Sequence, residues 1–256
     1  MREAWRVDVL GSRISAVDAQ EALKLVGQRL ESRQGGYVCF TNVHAVVMGR
    51  QDRAFRSITN ASFLSVADGK PIYWTARTKG PVGHVPGPDF MRLILERFPA
   101  RPHFFYGSTE AVLARLVERL SMEIPGLKVA GSLSPPYRAL TDNEKTRHYE
   151  IIRESGAELV WVGLGAPKQE EWMHDATPSL APAILFGVGA AFDFHADVVV
   201  RAPTVMRTWG LEWLYRLLSE PRRLWRRYLT TNTLFIAFLC EEIWKARGRT
   251  NPDKEQ

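Results

Sequence analysis

Glu158-Leu159-Val160-Trp161-Val162-Gly163-Leu164-Gly165-Ala166-Pro167-Lys168-Gln169-Glu170-Glu171 is the stretch on which the fold turns. A short apolar run rich in Val and Trp breaks into a glycine-rich turn, and Pro167 stands where a first helical residue would. A strand that feeds a helix in this way is half of a βαβ unit. The amides at such a helix start make a ready site for a phosphate.

The same alternation extends outward in both directions. Strand-like runs are expected at 36–40, 63–66, 103–106, 128–130, 158–162 and 183–186, separated by helical patterns. Asp18 with Glu21 and Thr141 with Glu144 have capping-box spacing, and Ser108 is placed to cap a helix running through Leu116. Strands separated by helices of this length predict an α/β fold with a mainly parallel, helix-covered sheet over residues 1–200. Beyond Phe194 the strand pattern stops. Residues 201–247 read as helix alone: a first segment at 206–218, a break at Glu220-Pro221, and a second helix with Pro221 in its first turn. About 45 residues can scarcely bury a core of their own, so 201–247 is an appendage, followed by a polar tail at 248–256. A chain ending at Ala202 is expected to stay folded.

The chain has 256 residues, 45% hydrophobic and 24% charged, which excludes disorder and low-complexity architectures. Two cysteines, Cys39 and Cys240, cannot build a disulfide framework and fit a reducing cytoplasm. The uncharged runs at 177–192 and 228–240 fall short of the roughly 18–20 apolar residues that a membrane span needs. No apolar core follows Met1-Arg2-Glu3, so no secretory leader is expected. Residues 201–256 hold eleven Lys and Arg against six Asp and Glu, and the rest of the chain is nearly balanced. That concentration of positive charge points to an anionic partner.

Ligands of parallel α/β sheets bind beyond the carboxyl ends of the strands. Thr41 and Asn42 follow the first such strand and can also cap the next helix. Asp68-Gly69 follows the second: Asp68 is a candidate general base, and Gly69 lets a ligand approach the backbone. Gly163, Gly165 and Gln169 frame the turn quoted above. Lys168 replaces the third glycine of a dinucleotide fingerprint, and no Gly-Lys-Ser/Thr of a P-loop is present. The run Phe186-Gly187-Val188-Gly189-Ala190-Ala191-Phe192-Asp193 repeats the pattern, with Asp193 as a candidate acceptor for ribose hydroxyls. No metal-ligand spacing of His or Cys and no Asp-x-Asp occurs, so no metal or other cofactor is expected, and a diphosphate would be met by amides and cationic side chains. The appendage carries Arg201, Arg207, Arg216, Arg222, Arg223, Arg226 and Arg227 among Trp209, Trp213, Trp225 and Tyr228. Arginine interleaved with aromatics suits an interfacial helix on anionic lipid.

Three blocks in order, 163–170, 187–193 and Arg201-Ala202-Pro203 with 210–217 and 220–228, resemble the WecG/TagA/CpsF family of bacterial glycosyltransferases. The resemblance covers about residues 37–228. It implies a Rossmann-like core, a UDP-sugar donor, a polyprenyl-diphosphate-linked saccharide acceptor, inversion without metal, and a C-terminal appendage completing the site at the membrane. It places the base at Asp68, further substrate contacts at Asn42, Gln169 and Asp193, and diphosphate contacts among Arg216, Arg223 and Arg226. His84 stands where some members carry an arginine, and Phe40 where some carry a threonine, so the donor sugar is open between a hexose and an N-acetylhexosamine. The expected location is the cytoplasmic face of the plasma membrane, bound peripherally.

A second class of reading is a basic nucleic-acid-binding α/β protein. It accounts for the charged tail but not for the glycine-rich strand ends, and no nucleic-acid partner is expected. The apolar stretch 234–239 is open to lipid or to a homo-oligomer interface.

Overall fold

The computed structural model describes residues 4–249, apart from the side chains of Arg223 and 246–249. A hairpin, β1 (Arg6–Val9) and β2 (Ser12–Ser15), opens the chain and is followed by α1 (Ala19–Glu31). β3 (Gly36–Thr41), α2 (Val43–Gln51), α3 (Arg53–Ala61) and β4 (Leu64–Ala67) form the first parallel unit. Then come α4 (Lys70–Arg77), α5 (Gly87–Arg97), β5 (His103–Gly107), α6 (Glu110–Glu123) and β6 (Val129–Leu133). α7 (Asp142–Glu154), β7 (Leu159–Gly163), α8 (Lys168–Leu180), β8 (Ile184–Gly187) and α9 (Ala191–His195) complete the sheet region. The C-terminal helices are α10 (Thr204–Thr208), α11 (Glu212–Ser219) and α12 (Pro221–Arg249).

Six strands form one parallel sheet in the order β4-β3-β8-β7-β5-β6. Continuous apolar runs suit strands buried on both faces, and alternate residues serve the two sides. Val38, Phe40, Phe105, Trp161 and Phe186 pack against α1, α5, α6 and α9. Tyr37, Cys39, Phe104, Tyr106, Val160, Val162 and Leu185 pack against α7 and α8. The architecture is α/β and Rossmann-like, as expected.

The hairpin went unread in the sequence. Its turn uses Leu10 at φ 55° and Gly11 at φ 90°, and a leucine in the left-handed region is not a usual turn signal. Ser15 Oγ accepts from the Ser65 N–H at 3.1 Å, so β2 covers the edge strand β4. Two further details differ from the sequence reading. Ser108 does not cap α6: it adopts φ 56°, and Thr109 takes the cap, accepting from the Val112 N–H at 3.3 Å. The helix expected at 206–218 is two helices, broken at Gly210 (φ 75°), where a Cβ would come within 2.9 Å of Lys70.

Residues beyond 200 share the core of those before it. Leu224 and Phe235 are buried, and Phe235 packs with Val7, Val9, Ile14, Val46, Val47 and Ile72. Leu234, Phe238 and Leu239 lie partly buried against the same cluster, whereas Ile236 points outward. The apolar stretch 234–239 is thus largely taken up by the protein's own interior. Among the described residues no helix is long and apolar enough to cross a membrane.

Candidate functional site

The chain leaves β5 toward β6 on one side and leaves β7 toward β8 on the other, so a crevice opens at the carboxyl ends between β5 and β7. Gly107 and Gly163 meet there. Gly107 has φ 120°, and a Cβ on it would lie 2.6 Å from the carbonyl carbon and oxygen of Gly163. The Ser108 N–H donates to the Gly163 carbonyl at 3.1 Å and ties the two turns together. Gly107→Ala is expected to cost about 3 kcal/mol or more, from strain at positive φ plus overpacking. Urea denaturation measures it, and a loss below 1 kcal/mol would contradict the close approach.

Gly165 (φ 75°) follows, with no atom within 4 Å of where its Cβ would stand, so its glycine serves the turn itself. No side chain caps α8. The Gln169 N–H donates to Gly165 O at 3.0 Å, and its Nε2 donates to Gly187 O at 3.0 Å and to Glu170 Oε1 at 2.8 Å. Gln169 therefore braces the β7 and β8 turns from beneath. Among the described residues its Oε1 finds no partner, and neither does Glu170 Oε2, although both atoms are buried. Burial pushes the Glu170 carboxyl up to about 7. Asp193 lies on α9, where its carbonyl accepts from Val198 and Val199.

Across β8 from that crevice, Thr41 and Asp68 stand at the carboxyl ends of the paired strands β3 and β4. Thr41 is buried; its hydroxyl shares a 2.7 Å hydrogen bond with the Ser65 hydroxyl, and its carbonyl accepts from the Asp68 N–H at 3.1 Å. Its role is to hold the β3–β4 corner. Asn42 caps α2, accepting from Ala45 N–H at 3.2 Å, while its side chain also reaches the Asp68 carboxyl. Asp68 Oδ1 accepts from Gly87 N–H at 2.9 Å. Burial raises the Asp68 pKa to about 6; the Gly87 and Asn42 hydrogen bonds and the Arg201 charge oppose that, and the Glu212 charge adds to it. Gly69 starts α4, and His84 Nε2 donates to the Asp68 carbonyl at 2.6 Å. Burial lowers the His84 pKa, which favours the neutral ring.

The C-terminal helices reach this corner through arginines. Arg201 grips Asp89 with two bonds, 2.5 Å to Oδ1 and 3.0 Å to Oδ2, and its Nε bonds Glu212 at 3.2 Å. Arg207 also pairs with Asp89 at 3.4 Å. Arg201 and Arg216 both lie over the Phe194 ring, at 5.8 and 5.5 Å from its centroid. The Nε atoms of Arg207 and Arg216 are buried without an acceptor among the described residues. Arg226 sits elsewhere: it borders a cavity of about 360 Å³ between α2 and α12, together with His44, Val47, Arg227 and Leu234. The Arg223 side chain lies outside the described residues. A cavity of about 900 Å³ along α1, lined by Trp5, Glu21, Lys24 and Gln28, contains none of the expected site residues.

The carboxyl edge of the sheet thus carries Asn42, Asp68, Gly69 and His84 at its β3–β4 end and Gly163, Gly165 and Gln169 after β7, with the β8 turn between the two groups. Sequence reasoning missed Gly107 and Ser108, although Tyr106-Gly107-Ser108 has the strand-then-glycine signature. It also missed Asp89 and Arg201 as partners, for which no local signal exists. The model of the Glycosyl transferase WecG/TagA/CpsF family matches residues 7–249. The chain belongs to this family and is a glycosyltransferase of a type associated with surface-polymer synthesis.

Proposed function

We propose that this glycosyltransferase moves a hexose or N-acetylhexosamine from a UDP-sugar to a polyprenyl-diphosphate-linked saccharide with inversion at the anomeric carbon. The observation that carries this reading is Asp68: a carboxyl at a strand tip, anchored by Gly87 N–H, with its pKa raised to about 6. A carboxylate so tuned is still ionised at neutral pH and is a stronger base than an exposed aspartate. It accepts the proton of the acceptor hydroxyl while that oxygen bonds to the anomeric carbon. The bond from that carbon to the diphosphate oxygen breaks, and UDP departs with the electron pair.

The leaving diphosphate takes its compensation from amides of the Gly163–Gln169 turn and from guanidinium groups, of which Arg207 and Arg216 carry unused buried N–H donors. No metal or other cofactor enters this reading. Asn42 orients the base, and Asp193 is assigned to the nucleoside. His84, neutral and committed to the Asp68 carbonyl, shapes the sugar pocket sterically rather than by charge.

The acceptor's lipid tail requires a membrane surface, and the C-terminal helices supply one of fitting chemistry. Trp209, Leu218, Trp225, Leu229 and Trp244 are exposed on these helices, as are Arg222, Arg226 and Arg227, and Trp225 and Leu229 share a face of α12 with Arg222 and Arg226. Each arginine near an anionic bilayer adds about 1 kcal/mol of attraction. That chemistry supports peripheral binding to an anionic bilayer, and a UDP-sugar donor would put the proposed site of action at the inner face of the plasma membrane.

Calorimetry of the full chain with UDP and UDP-sugars, combined with co-sedimentation on phosphatidylglycerol-containing vesicles, tests the reading. The expected result is UDP uptake at micromolar to millimolar concentration, with vesicle binding that weakens as salt rises. Absence of UDP binding in the presence of vesicles overturns the donor assignment. Vesicle binding that ignores both lipid charge and salt overturns the membrane assignment.

A further inference from the structure

We propose that Asp89, Arg201 and Glu212 form a latch that seats the C-terminal helices on the sheet and, through the first turn of α5, holds the Asp68 carboxyl in place. Asp89 and Arg201 are positioning residues for sugar transfer. The positioning half rests on Asp68 being the base; the docking half does not.

Three segments meet at one guanidinium. Asp89 belongs to α5 of the sheet region, Arg201 to the link after α9, and Glu212 to α11. Arg201 bonds Asp89 through both terminal nitrogens and Glu212 through Nε, so one planar fork joins elements on both sides of the boundary. The Arg201 side chain is 19% exposed and Glu212 28%, while Asp89 at 49% still meets solvent, so the bidentate geometry and the shared third partner, rather than burial alone, distinguish this cluster from isolated surface pairs. Burial works to raise the Asp89 pKa, yet the Arg201 bond and charge, helped by Arg207, hold it below the usual carboxylate range. The pair therefore stays ionised wherever the enzyme operates.

The link to chemistry is short and covalent. Gly87, whose N–H holds Asp68 Oδ1, is two residues from Asp89 in the same helical turn. Pro88, between them, has its carbonyl bonded by His195 Nε2 at 2.9 Å. The turn is thus pinned from α9 on one side and by Arg201 on the other. Releasing Arg201 frees the turn that carries the Asp68 anchor and loosens α11, which brings Glu212 close to Asp68, while α12 stays seated through Phe235. The charged groups acting on the Asp68 carboxyl are Glu212 from α11 and Arg201 from the link, with neutral Asn42 from the β3 side; His84 bonds the Asp68 carbonyl, and Lys70 at the start of α4 and Asp89 on α5 act on His84.

The test uses the full chain with Asp89→Asn, Arg201→Lys and the reciprocal swap Asp89→Arg/Arg201→Asp. Asp89→Asn is expected to raise amide exchange in 204–219 roughly tenfold while the strands stay protected. It is expected to lower kcat about 10- to 50-fold with the donor KM within about threefold. The acid limb of the kcat profile should move to lower pH, because relief of desolvation, the largest contribution, together with withdrawal of Glu212 outweighs the weakened Gly87 bond and the lost Arg201 charge. The swap sets like charges against Glu212 and Arg207, so it should recover exchange protection and kcat only in small part, and full recovery would overturn the place of Glu212 in the latch. Wild-type exchange and wild-type kcat in Asp89→Asn overturn the latch; raised exchange with intact kcat overturns the positioning role. If Asp89→Asn loses strand protection, Arg201→Lys carries the test, since it keeps the charge but loses the fork: intermediate kcat with protected strands supports the proposal, and wild-type kcat overturns it. Should Asp68→Asn transfer sugar normally, the base assignment falls alone, and the exchange measurement still reports on the latch.

Discussion

Asp68→Asn is expected to lower kcat about a hundredfold or more while leaving the affinity for UDP-sugar nearly unchanged. Asparagine is almost isosteric, and its carbonyl can still accept from Gly87 N–H, so the corner built by Thr41, Asn42 and Gly87 persists. What is lost is the site that takes the acceptor proton. The same substitution should stabilise the fold. The Asp68 pKa lies near 6 in the folded protein against an ordinary value of 3.8. A raised carboxyl pKa means the folded state binds the proton more tightly, so its stabilising contribution is full below the unfolded value and gone above about pH 6. At neutral pH the buried charge therefore costs on the order of 3 kcal/mol, which a neutral amide avoids. In the wild type, kcat should rise with pH through an acid limb near 6, and that limb should vanish in the variant. Transfer at the wild-type rate by purified Asp68→Asn, or an acid limb that survives, refutes the base assignment.

Phe235→Ala is expected to destabilise the protein by about 3–5 kcal/mol, lowering the melting temperature by roughly 6–15 °C. Phe235 closes a cluster whose other members come from the hairpin, α2 and α4, and it is only 4% exposed. Removing its ring leaves a cavity that the surrounding Val and Ile side chains cannot fill without moving backbone. Ile236→Ala, one residue along but 61% exposed, should change stability by less than about 0.5 kcal/mol. Equal effects of the two substitutions in urea titrations would show that α12 does not pack as described. The expectation that a chain ending at Ala202 stays folded gives way here. Such a chain lacks Leu224 and Phe235, leaves their apolar partners open to water, and should aggregate. The role of the C-terminal helices in transfer is better probed at Asp89 and Arg201 than by truncation.

All six sheet strands were legible within one to three residues, because parallel strands buried on both faces must be apolar throughout and are bounded by helices with their own start signals. The Thr141–Glu144 capping box is present in the structure as the sequence spelled it. The hairpin at 6–15 was not legible, since its turn forces Leu10 into a conformation that leucine seldom adopts. The split between α10 and α11 was hidden for a related reason: Gly210 marks it, but a lone glycine inside a helical pattern does not by itself end a helix.

The site divides in the same way. Asp68, Asn42, Gly163, Gly165 and Gln169 could be proposed from sequence because chemistry at strand tips is local: the polar or glycine residue directly follows its strand. The raised pKa of Asp68 could not, because it depends on desolvation in the folded chain and on Glu212, which lies 144 positions further along the sequence. Nor could the meeting of Asp89 with Arg201, which lie 112 residues apart. Their encounter depends on how the chain returns over the sheet after α9. Periodicity, caps and glycines act over a few residues, and so the amino-acid order dictated the strands, the helices and the corner where catalysis is possible. Long-range packing brought Glu212 and Arg201 close to that corner, and there desolvation, with the Glu212 charge added, raises the Asp68 pKa to about 6 against the opposing Arg201 charge.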